Sequence, residues 1–151
     1  MSNTYNTIKV KKFADIVEEF EAAGAIYPGM LVEMDSNGKV VAHNSAAARA
    51  CIMIALENEL EGEGIDDAYA SGDKVQVWFA GRGDMAYMVL SDGEKVVKGD
   101  MLESNGDGYL QKLTTGYAIG VAEEAVDLSG SSGEESSEAL GYNKRILVRI
   151  M

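Results

Sequence analysis

One pattern constrains this chain more than any other: a glycine-led turn, an apolar strand, a polar turn and an apolar return strand, and it occurs twice. Residues 27–41 run Tyr27-Pro28-Gly29, then Met30-Leu31-Val32-Glu33-Met34, then Ser36-Asn37-Gly38, then Lys39-Val40-Val41. Residues 97–110 repeat the plan with Gly99, Met101-Leu102-Glu103, Ser104-Asn105-Gly106 and Tyr109-Leu110. Turn residues flanking short apolar runs are hairpin signals, because glycine reaches positive φ and Asx side chains bond the turn backbone. A short apolar run ending in an acid follows each copy, at 51–57 and 118–123. The sequence therefore predicts a doubled β unit.

The remaining segments fit that scheme. Residues 7–12 alternate apolar and basic, the pattern of a one-sided strand. Residues 74–79 form an alternating strand with Val75, Val77 and Phe79 on one face, and 85–90 and 145–151 read as further strands. Residues 13–23 are ambiguous. Phe13, Ile16, Val17 and Phe20 have helical spacing, yet Val17 onward can equally be drawn as a strand entering the Pro28-Gly29 turn. Residues 57–70 and 127–141 are acidic and rich in glycine or serine, which predicts a solvent loop and a flexible acidic loop. The expected fold is all-β, a small barrel or sandwich built from a doubled hairpin unit, with at most one short helix. An N-terminal arm (residues 1–12) precedes one β domain (13–151).

Composition narrows the function classes. The chain has 151 residues, enough for a real core, and its net charge of −12 disfavours binding to nucleic-acid phosphates. All 25 acids lie between Asp15 and Glu138, while Lys9, Lys11 and Lys12 precede them and Lys144, Arg145 and Arg149 follow. Basic ends on an acidic body read either as chance plus solubility or as a means of docking on an acidic neighbour, including another copy. Residues 1–12 lack the apolar stretch of a secretory signal, and no run is long enough for a membrane helix.

Chemistry is sparse. His43 is the single histidine and Cys51 the single cysteine, which excludes an internal disulfide and leaves no ordinary zinc ligand set. Cys51 is expected to be a buried inert thiol and His43 a surface or strand-end residue. The Asx-glycine loops lack the ligand spacing of a calcium hand, and Arg82-Gly83-Asp84 reads as a hairpin turn. No catalytic residue, cofactor or metal site is expected. Lys74 lies inside a strand, which argues against a biotin- or lipoyl-carrier domain.

Four motifs in order, Tyr27-Pro28-Gly29-Met30-Leu31-Val32, Ser71-Gly72-Asp73-Lys74-Val75-Gln76-Val77, Lys98-Gly99-Asp100-Met101-Leu102 and Ala118-Ile119-Gly120-Val121-Ala122, resemble the head decoration (cement) proteins of tailed bacteriophages, the group that includes the lambda-type head stabilisers. The acidic 127–141 insertion and the longer start depart from that pattern. The resemblance implies a structural virion protein, made in the host cytoplasm, that binds the outer capsid surface, bridges major capsid subunits and forms a homotrimer, without contacting nucleic acid or membrane. The contact residues expected under it are Ile8, Lys9, Val10, Lys11, Lys12, Lys144, Arg145 and Arg149. The competing readings are another β-rich virion component, from the tail or an accessory domain, and a non-enzymatic carrier-like β module.

Overall fold

A computed structural model describes residues 5–130 and 143–151. In chain order the strands are β1 (Lys9–Lys11), β2 (Val17–Glu21), β3 (Leu31–Met34), β4 (Val40–Ala42), β5 (Met53–Ala55), β6 (Lys74–Phe79), β7 (Met85–Leu90), β8 (Lys95–Val96), β9 (Met101–Ser104), β10 (Leu110–Lys112), β11 (Gly120–Ala122), β12 (Val126–Asp127) and β13 (Lys144–Ile150). The one helical piece among the described residues is a 3₁₀ turn, Glu59–Glu61. The all-β, small-barrel expectation holds.

The second half closes on itself in the order β7-β10-β9-β11-β13, with β13 pairing back to β7. β7 gives one edge to β13 and divides the other between β1 at its start and β10 at its end. The first half forms the sheet β2-β6-β5-β3-β4, and a parallel bridge from Ala22 to Val40 draws its two ends together. The two halves are the same unit in the same register. Val32 pairs Ala42 and Met53 as Leu102 pairs Lys112 and Gly120. Ile54 pairs Trp78 as Val121 pairs Arg149, and Val17 faces Trp78 as Met85 faces Arg149. The parallel closures match, Ala22–Val40 with Leu90–Leu110, and so do the outlying bridges, Ile26–Tyr69 with Val96–Val126.

The hairpin tips obey the same rule. Asp35 Oδ1 accepts the Asn37 and Lys39 N–H groups, and Asn105 Oδ1 accepts those of Asp107 and Tyr109. This register aligns Gly38 with Gly108, so the two Ser-Asn-Gly triplets are two positions out of step. The turn chemistry repeats although the letters do not.

The ambiguity over residues 13–23 resolves as strand. β2 runs antiparallel to β6 from Val17–Trp78 to Glu21–Lys74, and the Phe20 ring lies 6.2 Å from that of Phe79. A half-open sheet offers a backbone partner at every residue, which outweighs a four-residue helical pattern. β6 buries both faces. Val75 and Val77 fill the interior of the first unit, while Trp78 points the other way into the core shared with the second. Residues 57–70 are only partly a solvent loop, since Ile65 and Tyr69 are buried and Tyr69 bridges Ile26. Of the expected acidic loop, Asp127 closes β12, and residues 131–142 lie outside the described part of the chain.

Candidate interaction surface

The arm is woven into the body. The β1 register is Lys9–Ala86 and Lys11–Met85, the Tyr87 N–H donates to Ile8 O at 2.9 Å, and the Tyr5 ring meets Tyr87 edge-on at 5.3 Å. Ile8 is fully buried in the main core. Lys9 and Lys12 both close on Asp15, at 2.9 and 2.7 Å, and those two cations, Lys12 first, hold the Asp15 carboxyl below its usual range. The strand expected at 7–12 therefore bonds its own β7 in this structure.

The basic C-terminal residues divide. Arg145 is completely buried. Its Nε and Nη2 donate to Pro28 O at 3.1 and 2.9 Å, Nη2 also to Ile65 O, and Nη1 to Asp66 Oδ1 at 2.9 Å. Arg149 pairs with Glu123 at 3.1 Å and donates to Gly83 O. Lys11, Met85 and Arg149 are register partners across β1, β7 and β13, so these two cations share one end of the barrel, while Lys144 and Arg145 stand at the other. The side chains of Ile8 and Arg145 belong to the fold and offer nothing to a partner. Lys11 is exposed, Val10 and Lys144 are half-buried, and Lys9, Lys12 and Arg149 are held in ion pairs at the surface.

Between the arm, β2 and the chain after β5 lies an open groove of about 470 Å³, lined by Lys9, Val10, Lys12, Val17, Leu56, Glu57, Leu60 and neighbouring residues. Its rim carries Leu60, 79% exposed, and the link from β1 to β2 carries Phe13, 77% exposed, and Ile16. That link is pinned at both ends: the Phe13 N–H donates to Asp84 Oδ1 at 2.8 Å, and Ile16 O accepts the Phe79 N–H at 2.9 Å. Fixed backbone with outward apolar side chains suits contact with another protein. In the sequence, Phe13 and Ile16 are indistinguishable from core residues, because their exposure follows from the link having no sheet behind it.

Two local expectations are corrected. Cys51 is exposed, because its strand begins only at Met53 and the apolar letters before it belong to a loop. His43 stands at a strand end as expected, directly after β4, but it is buried and not on the surface. It lies beneath the second hairpin, with Nδ1 2.7 Å from Ser104 Oγ and Nε2 3.7 Å from a Glu33 oxygen. Ser104 Oγ also accepts the Gly106 N–H, and Ser104 is fully buried, so this trio locks one hairpin to the other and presents no face to a substrate. Asp84 is buried too, its Oδ2 accepting the Gly81 N–H, so the Arg82-Gly83-Asp84 carboxylate is turned into its own hairpin. Among the described residues no group of three or more His, Cys, Asp or Glu side chains is placed to hold a metal. No described helix is long and apolar enough to cross a membrane.

The groove floor rests on Tyr69, whose hydroxyl donates to Leu56 O at 2.7 Å. Burial pushes this phenol up to about 12. The folded state thus favours the protonated ring. The stability it contributes is fully present below the unfolded value near 10 and is lost as pH rises from about 10 to 12. A fall of about 2–3 kcal/mol across that interval is expected in wild type, and the Tyr69→Phe variant should lack this step in urea unfolding at graded pH. An identical alkaline loss in both proteins would refute the assignment.

No protein-family model matches the chain, and the search of curated proteins finds no match either.

Proposed function

We propose that this protein is a capsid decoration protein, a structural virion component that binds the outside of an expanded phage head and holds neighbouring capsid subunits together. The observation that carries the reading is the ordered set of four glycine-turn-strand motifs, which open β3, β6, β9 and β11. Two of them, at β3 and β9, are matched parts of one duplicated scaffold, while β6 and β11 are the counterparts of β13 and β5. That scaffold supports a binding role: its second unit is a closed barrel, and it presents Phe13 and Ile16 outward on a link whose backbone is held at both ends. A rigid body that touches several subunits at once gains by making its later contacts intramolecular.

The test is co-sedimentation with heads assembled from the major capsid protein of the same genome, before and after expansion, together with the heat resistance of those heads. Binding to expanded heads and a raised thermal transition are expected. The double variant Phe13→Ser/Ile16→Ser should fold normally and lose roughly tenfold or more in affinity, since each apolar side chain it removes is worth about 1.5–3 kcal/mol when buried. Heads that neither bind the wild-type protein nor gain heat resistance from it would sink the proposal.

A further inference from the structure

The two matched units do not meet symmetrically. Inside the chain the second unit docks on the first: Val89 N–H donates to Gly29 O, Leu31 N–H to Gly108 O, Gly108 N–H to His43 O, and Arg145 to Pro28 O. The reverse contacts do not form. A Cβ placed on Gly29 would lie 2.8 Å from Tyr87 O, whereas one on its counterpart Gly99 would meet nothing within 4 Å; Gly108 is crowded and its counterpart Gly38 is open. The junction is heterologous, so one chain leaves one donor face and one acceptor face unused. Faces of this kind join copies into closed rings or open chains.

The unused faces have the character of a contact. On the acceptor side Met101, counterpart of the fully buried Leu31, is 46% exposed, and Val97, counterpart of the half-buried Tyr27, is 54% exposed. On the donor side Met34, counterpart of the buried Ser104, is 50% exposed. The inner contact between Ser104 and His43 maps onto Met34 and Leu113, a polar pair replaced by an apolar one. Charged groups flank these apolar positions. Glu19, Glu21 and Lys74 stand where the donor face inside the chain has Tyr87, Val89 and Arg145, and Lys98 and Arg149 stand where the acceptor face has Pro28 and Trp78. Glu21 and Arg149 are already paired in the chain to Lys39 and Glu123.

We propose that the protein self-associates head to tail, with the first unit of one copy seated on the second unit of the next, as the second unit is seated on the first within the chain. Met34 then packs against Leu113 of the neighbouring copy. The inference rests on the duplicated fold and is independent of the capsid reading.

The test uses two single variants, Met34→Cys and Leu113→Cys, each on a Cys51→Ser background that removes the exposed native thiol. Light scattering of the unmodified protein should give a mass above the monomer. Mild oxidation of the mixed variants should yield a 34–113 linked dimer, while either variant alone yields none. Met34→Glu, at an exposed position where folding is undisturbed, should raise the dissociation constant at least about tenfold, an effect of about 1.4 kcal/mol. A monomeric mass at every concentration overturns the proposal. So does an assembly that ignores Met34→Glu, lacks the 34–113 link, or crosslinks 34 to 34 or 113 to 113.

Discussion

Replacing Arg145 with methionine is expected to remove about 3–5 kcal/mol of unfolding free energy, the range for losing one member of a buried charged network. The side chain is fully enclosed and spans the junction of the two units: it starts on β13 and satisfies the carbonyls of Pro28 and Ile65 besides pairing with Asp66. Methionine keeps much of the apolar stem but donates nothing. The Pro28 and Ile65 oxygens then lose their guanidinium donors in a site closed to water, each at a cost of about 1–3 kcal/mol. Arg145→Lys should recover only part of the loss, because a single ammonium cannot reproduce the fork that bridges two carbonyls and a carboxylate. Guanidinium unfolding followed by tryptophan emission reports the effect directly, since Trp78 is buried in the same core. At this chain length the midpoint should fall by roughly 10 °C in a thermal scan. A loss below about 1 kcal/mol would mean that the carbonyls find other donors, and the role given to Arg145 would be wrong.

Arg145 also shows where sequence reading reached its limit. From the sequence it is one of three basic residues near the C-terminus, no different from Lys144 or Arg149. Its partners lie in the first unit, at Pro28, Ile65 and Asp66, and only the fold brings them together. His43 is the same case, since the hairpin that covers it comes from the other unit. What could be read was local or repeated. Period-two runs located β6 and β13, turn glycines located the hairpins, and the echo of 27–41 in 97–110 announced the duplication that the ladders then display pair by pair. Strand β2 fell between these classes. Its helical spacing is real, and pairing to β6 overrides it. The surface was the least legible part: Cys51, Phe13 and Ile16 carry core letters on loops and links, and letters alone do not say which apolar residues a sheet covers.

The duplication turns one substitution into a controlled experiment on the junction. Gly29→Ala and Gly99→Ala change the same position of the same turn, with φ of +93° and +98°, and each glycine N–H donates to the matching carbonyl, Ala55 O or Ala122 O, at 2.8 Å. An alanine in that left-handed region costs about 1–2 kcal/mol at either site. At Gly99 in a dilute monomer that is the whole effect, because the new methyl meets open space. At Gly29 the methyl would sit 2.8 Å from Tyr87 O and 3.1 Å from Arg145 Nε, both parts of the second unit. A backbone carbonyl cannot swing aside as a side-chain tip can, so the units must separate slightly, adding about 1–3 kcal/mol of overpacking cost. Gly29→Ala is therefore expected to lose about 2–5 kcal/mol in all, and the excess over Gly99→Ala measures the intrachain junction with the turn itself subtracted. Equal losses at the two glycines would show that the units are not held as tightly as the Tyr87 and Arg145 contacts require.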